Sequence, residues 1–264
     1  MSNSQLYFIP MDIFQALILG VIEGVTEFLP VSSTGHLILA SELLHIPSSE
    51  FLKSFEIVIQ FGAILSVVVL YWRELLKVEI LKRLAVGFIP TGIIGLAVYP
   101  FLKSYLLDNS SIVLFALALG GVVLIAFELL YKDTPEELPV SQITYKQSFI
   151  VGLFQSIAII PGVSRSAATI LGGLMIGIPR RTIVEFSFLL AVPTMAAATG
   201  LDLLKSAGSF STENASALAI GFVVSFIVAL FSIRFLLKFV RNHTFIGFGV
   251  YRILIAALFF FVVL

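Results

Sequence analysis

Apolar residues run in long stretches along this chain, and short polar loops separate most of them. A membrane-spanning helix needs about 20 apolar residues. Six stretches are long enough, at roughly 54–72, 86–102, 111–131, 186–204, 216–233 and 247–264. The longest hydrophilic segment, Tyr131 to Lys146, holds Asp133, Pro135, Glu136, Glu137 and Pro139 and divides the chain into halves. Two further regions, 11–47 and 147–179, are apolar but interrupted. Leu29-Pro30-Val31-Ser32-Ser33-Thr34-Gly35 breaks the first, and Pro161-Gly162-Val163-Ser164-Arg165-Ser166 breaks the second. Each flanking stretch is short for a crossing at a rise of about 1.5 Å per residue. Broken helices at membrane depth persist only where they line a polar cavity or are buried in protein. Both regions are therefore read as re-entrant helix pairs, each entering and leaving on one side.

The two broken regions resemble each other. Set without a gap at an offset of 132, residues 15–47 and 147–179 share nine identities in 33 pairs. Gln15/Gln147, Gly20/Gly152, Ser32/Ser164 and Pro47/Pro179 carry the weight, because apolar bias inflates the rest. The pattern predicts an all-α integral membrane protein, one membrane domain over 1–264, built from two repeats at about 11–131 and 147–264. Each repeat has three spans and one re-entrant pair. An odd number of crossings turns the second repeat upside down, the inverted plan of many transporters.

Charge placement is a separate test. With the segment before residue 54 outside, the inner loops carry Arg73, Lys77, Lys82, Arg83, Lys132, Lys146, Arg180, Arg181, Arg234, Lys238 and Arg241. The outer segments carry Lys53, Lys103 and Lys205, so the bias is eleven to three in favour of the inside. Arg165 lies within the second break, and Arg252 lies near the start of the last span. The two breaks then enter from opposite faces and can meet near the midplane.

Composition narrows the function classes. Hydrophobic residues are 59% and charged residues 12%, against about 45–50% and 25% in soluble domains. Too few charges exist to cover a soluble surface. Zero net charge argues against a nucleic-acid partner, and the lack of cysteine excludes disulfides and thiolate zinc sites. No basic segment precedes the first apolar stretch, which is not read as a cleaved signal peptide. The sequence leaves open whether the chain forms a homo-oligomer.

Candidate chemistry gathers at the breaks. Glu23 and Glu27 are four apart on one face of an otherwise apolar helix. Two carboxylates there need a cation, a proton or hydrogen bonds. After the break, Ser32, Ser33 and Thr34 surround a helix start whose free N–H groups suit an anion, with His36 in reach. The second break supplies Ser164, Ser166, Thr169 and Arg165, whose planar donors match two phosphate oxygens. Arg165 either pairs with Glu23 or Glu27 or holds phosphate, and both can be true in different states. The set suits a doubly phosphorylated ligand, with Glu23 and Glu27 holding a divalent cation across it. Carboxylate ligands do not choose among Mg²⁺, Ca²⁺ and Mn²⁺. Glu56, Gln60 and Glu185 are weaker candidates. Tyr71, Trp72 and Tyr99 are read as interface anchors.

Two motifs make the match specific. Glu23-Gly24-Val25-Thr26-Glu27-Phe28-Leu29-Pro30-Val31-Ser32-Ser33-Thr34-Gly35-His36 resembles the first signature of the bacterial undecaprenyl-diphosphatase (BacA, bacitracin resistance) family. Pro161-Gly162-Val163-Ser164-Arg165-Ser166-Ala167-Ala168-Thr169 resembles the second, with Ala167 where Gly is common. The resemblance implies hydrolysis of undecaprenyl diphosphate to undecaprenyl phosphate and inorganic phosphate. It also implies recycling of the cell-wall lipid carrier, a divalent cation such as Mg²⁺ or Ca²⁺, and a site on the outer face of the bacterial cytoplasmic membrane. Glu27, Ser33, His36 and Arg165 are then the catalytic candidates, and Ser32, Thr34, Ser164, Arg165, Ser166 and Thr169 the diphosphate ligands. Either Ser33 attacks phosphorus, with His36 or Glu27 moving its proton, or Glu27 or His36 activates water. Rival readings are a lipid-carrier flippase or anion transporter on the same plan, and a binding protein that shields the lipid from bacitracin.

Overall fold

All regular structure among the described residues is helical. In a computed structural model these are residues 11–105, 110–131, 138–206 and 215–263. They form α1 (Ile13–Thr26), α2 (Ser33–Leu43), α3 (Glu50–Leu75), α4 (Val78–Tyr105), α5 (Ser110–Leu130), α6 (Tyr145–Ser156), α7 (Arg165–Met175), α8 (Arg180–Ser206), α9 (Ala215–Phe239) and α10 (Ile246–Val263). Lys132, Asp133, Pro135, Glu136, Glu137 and Leu264 lie outside the described residues, as do the side chains of Tyr99, Lys103 and Lys205.

Five helices, α3, α4, α5, α8 and α9, are long and apolar enough to cross a membrane. They coincide with five of the six predicted spans. The sixth span falls on α10, where the apolar stretch Ile246–Phe261 is shorter. The helices overrun the apolar runs at their ends. Ser49 caps α3 by accepting from Leu52 N, which starts the helix in polar sequence, and Arg73 sits in its last turn. Trp72 is half-exposed there, with the Arg73 guanidinium 5.2 Å from its ring.

Each broken region forms a pair of short helices. α1 is 14 residues long, about 21 Å at 1.5 Å per residue, and a hydrocarbon core is about 30 Å thick. A capping box starts α1 at Asp12 with Gln15, and another starts α6 at Thr144 with Gln147. α2 and α7 each run 11 residues and begin 132 positions apart, at Ser33 and Arg165. Proline in each break ends the preceding helix because its nitrogen cannot donate.

α1 lies against α9, and α6 lies against α4. α3 packs on both α8 and α9, and α5 packs on α10. At three of these crossings, α1 on α9, α5 on α10 and α6 on α4, glycine faces glycine and the backbones meet. A Cβ on Gly20 would stand 2.9 Å from the Gly221 carbonyl oxygen, and one on Gly249 would stand 2.7 Å from that of Gly121. At Gly152 a Cβ would collide with the backbone of Gly87. Gly152→Ala is therefore expected to cost on the order of 1–3 kcal/mol, read as a lower unfolding midpoint of the detergent-solubilised protein. Gly247→Ala, with nothing within 4 Å of the added atom, should leave the midpoint unchanged.

The largest core cluster runs from Phe28 in the first break through Ala167, Ile170, Phe186, Phe188 and Leu189 to Phe245. It joins the second short pair to α8 and to the start of α10. At its edge, Arg180 reaches both Glu128 oxygens, at 2.5 and 3.1 Å, and Glu128 also accepts from Phe245 N at 2.9 Å. Arg180 is thus buried and paired rather than a solvated loop charge.

Candidate active site

The two breaks meet. Ser166 Oγ donates to the Phe28 carbonyl at 2.8 Å, and Ser164 Oγ points at the Leu29 carbonyl at 3.5 Å. Arg252 Nη1 donates to the Pro30 carbonyl at 3.3 Å. The Phe28 and Pro30 carbonyls of the first turn are thereby satisfied from elsewhere in the protein, and the Leu29 carbonyl accepts mainly from Val31 N at 2.7 Å. Buried carbonyls without partners are costly, above all where no water is at hand.

A cavity of ≈ 260 Å³ opens between the breaks. Glu27, Ser32, Ser33 and Thr34 line it from the first, Gly162, Val163, Ser164 and Arg165 from the second, and Gln60, Met195 and Ala198 from α3 and α8. Across it, Arg165 Nη2 donates to Glu27 Oε1 at 2.9 Å. Ser33 Oγ donates to Glu27 Oε2 at 2.5 Å. Arg165 Nη1 donates to the Ser187 carbonyl at 2.9 Å, and the guanidinium carbon lies 5.8 Å from the Phe28 ring centre. Arg165 Nε is buried and has no acceptor.

The helix starts at the cavity are unequal. The first N–H groups of a helix have no acceptor within it. At α7, Ser164 Oγ accepts from Ala167 N and fills part of that need. At α2, Ser32 makes no side-chain cap and sits at φ 72, ψ 92. That left-handed conformation is strained for a residue with a Cβ. The α2 start is thus the more open anion site.

Not every predicted site residue faces the cavity. Ser166 is spent on Phe28, and Thr169 Oγ1 contacts the Arg165 and Ser166 carbonyls and Ser187 Oγ. His36 is buried beside the first turn but does not line the cavity. Its Nδ1 lies 2.8 Å from the Ser32 carbonyl and its Nε2 lies 2.8 Å from Tyr251 Oη. A carbonyl only accepts, so Nδ1 carries a proton. In this arrangement both ring nitrogens are engaged by groups outside the cavity lining. Glu185 pairs with Arg181 at 3.1 Å.

Glu23 is fully buried, and the neighbouring Glu27 carboxyl is the one hydrogen-bonding group beside its carboxyl oxygens, which otherwise have no partner among the described residues. Its charged neighbours are Glu27, Glu56 and Arg165. Two neighbouring carboxyls are hard oxygen donors of the kind that suit a divalent cation, but Glu23 does not line the cavity and both Glu27 oxygens are engaged by Arg165 and Ser33, so the pair could share an ion only once Glu27 leaves Arg165. No group of three His, Cys, Asp or Glu is gathered for a metal among the described residues.

A family model described as bacitracin resistance protein BacA matches residues 16–258. The undecaprenyl-diphosphatase of Wolinella succinogenes (strain ATCC 29543 / DSM 1740 / CCUG 13145 / JCM 31913 / LMG 7466 / NCTC 11488 / FDC 602W) is 51% identical over 253 residues, covering 95% of this chain and 98% of the relative. That of Sulfurihydrogenibium sp. (strain YO3AOP1) is 49% identical over 251 residues, covering 95% and 99%. The Aquifex aeolicus (strain VF5) undecaprenyl-diphosphatase is 49% identical over 251 residues, covering 93% and 96%. The chain belongs to the BacA family.

Around this BacA-family site lie residues that the sequence did not single out. Met195 Sδ is 3.8 Å from Arg165 Nη2, and the Ser187 carbonyl holds the same guanidinium. Tyr251 fixes His36. Arg252 was visible only as a charge inside an apolar run, and that was the one signal available for it.

Proposed function

We propose that this BacA-family protein hydrolyses undecaprenyl diphosphate to undecaprenyl phosphate and inorganic phosphate, which recycles the cell-wall lipid carrier and confers bacitracin resistance. The observation that carries the reading is the Ser33–Glu27–Arg165 chain across one cavity, at 2.5 and 2.9 Å. Relatives named undecaprenyl-diphosphatase over nearly the full length support it.

The terminal phosphate displaces Glu27 from Arg165, whose free Nε and Nη groups then hold its oxygens. The α2 helix start, with Ser32 and Thr34, takes the remaining negative charge. Glu27 accepts the Ser33 hydroxyl proton while Oγ forms a bond to the terminal phosphorus. The bond from that phosphorus to the bridging oxygen breaks, and undecaprenyl phosphate leaves. Glu27 passes the proton it took to the bridging oxygen of the departing undecaprenyl phosphate. Water then attacks the phosphoserine, Glu27 takes the water's proton and returns it to Ser33 Oγ as the P–Oγ bond breaks, and inorganic phosphate departs. The alternative, attack by water activated by Glu27, uses the same cavity. Direct attack is less favoured because Ser33 already donates to the base. His36 acts here by holding the Ser32 carbonyl. Glu23 and Glu27 would hold a divalent cation, Mg²⁺ or Ca²⁺. When bound it supplies charge neutralisation for the diphosphate.

The architecture is read as six spans and two re-entrant pairs in an inverted repeat. Matching capping boxes, equal lengths of α2 and α7, and the paired packing of α1 on α9 and α6 on α4 support this. We read the site as opening to the outer face of the bacterial cytoplasmic membrane, as the family resemblance implies and the inside bias of the loop charges accommodates.

Purified protein given undecaprenyl diphosphate should release inorganic phosphate. Lipid movement across liposomes without phosphate release would favour the flippase reading instead. Glu27→Gln is expected to lower turnover by about 10²–10⁴-fold and to blunt its response to added Mg²⁺ after chelation. Wild-type turnover in that variant would remove Glu27 from both roles.

A further inference from the structure

Arg252 is 1% exposed, and its four hydrogen bonds all run to backbone carbonyls. Nε donates to Leu117 at 3.2 Å and Nη2 to Ala116 at 3.1 Å, which ties it to α5. Nη1 donates to Pro30 at 3.3 Å and Nη2 to Gly162 at 3.0 Å. One guanidinium therefore bridges both broken turns. The two carbonyls hold equivalent places: Pro30 stands three residues before Ser33, and Gly162 stands three before Arg165. Gly162 itself is at φ +90, and a Cβ there would stand 2.6 Å from the Val113 carbonyl oxygen, so the second turn is pinned against α5 as well.

A buried guanidinium with no carboxylate partner is expensive, even among carbonyl dipoles. A packing role alone would be met by an apolar side chain. The distance between Ser33 and Arg165 is set by two turns far apart in sequence, and a planar fork that grips both fixes it. A compact ammonium has no such fixed fork. We propose that Arg252 is a positioning residue. It registers the turn bearing Ser33 against the turn bearing Arg165, and so sets the gap between attacking oxygen and phosphate clamp. It touches neither substrate nor reacting atoms. Misplacement by about 1 Å can cost 10²-fold in rate.

The role rests on the hydrolytic reading, and the test separates the two. Wild type, Arg252→Lys and Arg252→Gln are purified as single gel-filtration peaks, and phosphate release from undecaprenyl diphosphate gives kcat per folded molecule and KM. Arg252→Gln is expected to lose about 10²-fold in kcat, and Arg252→Lys about 10-fold, with KM changed less than about threefold. A purely structural residue would lower yield and unfolding midpoint and leave kcat per folded molecule unchanged; that result overturns the proposal. If Arg252→Gln does not fold, Arg252→Lys decides, and an unchanged kcat in it overturns the role. Wild-type turnover with unaffected variants sinks only this inference. No turnover by wild type sinks the hydrolytic reading and this role together.

Discussion

Arg165→Ala is expected to lower phosphate release by about 10³–10⁵-fold, the range for arginines that stabilise phosphoryl transfer. Arg165 is the cation that lines the cavity, and it reaches across to the opposite turn. Its loss removes the charge that would draw the terminal phosphate toward Ser33. It also leaves Glu27 buried without its ion pair, which in other proteins costs about 3–5 kcal/mol. A lower unfolding midpoint should therefore accompany the activity loss, and turnover must be measured on monodisperse protein. Arg165→Lys separates the two effects. It keeps the charge but loses the planar fork, so most stability should return and only part of the rate. Normal turnover in the alanine variant would remove phosphate clamping from the mechanism.

Ser33→Ala is expected to be almost as damaging, with a loss of about 10⁴–10⁶-fold if Oγ is the nucleophile. The hydroxyl is buried, 2.5 Å from the Glu27 carboxylate, at the uncapped start of α2. That arrangement gives it a base and an anion-binding helix end together. Loss of one hydrogen bond to Glu27 should change stability by only about 1 kcal/mol. A near-normal unfolding midpoint with abolished turnover is thus the expected pair of results. Substantial turnover in Ser33→Ala would exclude the covalent route and leave water activated by Glu27.

Much of this site was legible in the sequence because its chemistry is anomalous there. Glu27 and Arg165 stand out because charges inside apolar runs are expensive. The proline and hydroxyl runs mark both breaks, and the gapless offset of 132 equals the spacing between the starts of α2 and α7. The meeting of Arg165 with Glu27 follows from opposing charges buried at matching places. Side-chain allegiance could not be read in the same way. Ser164, Ser166 and Thr169 look alike by type, yet a buried turn has carbonyls that must be satisfied: Ser166 Oγ donates to Phe28, while Ser164 lines the cavity with its Oγ 3.5 Å from the Leu29 carbonyl. His36 looks like a catalytic base, but its partner Tyr251 is more than two hundred residues away, and no local pattern reports that contact. Arg252 is a similar case, since its partners are carbonyls, which every residue has.

The meeting of the two breaks can be measured directly because the chain has no cysteine of its own. Glu27→Cys and Arg165→Cys, introduced together, place the only two thiols on opposite sides of the cavity. Dibromobimane, a short bis-alkylating fluorophore, should join them within one molecule and give fluorescence that neither single variant shows. Two thiols that each react with a monofunctional maleimide but are never joined would mean that the turns lie apart, and the cavity chemistry proposed here would have no place to occur.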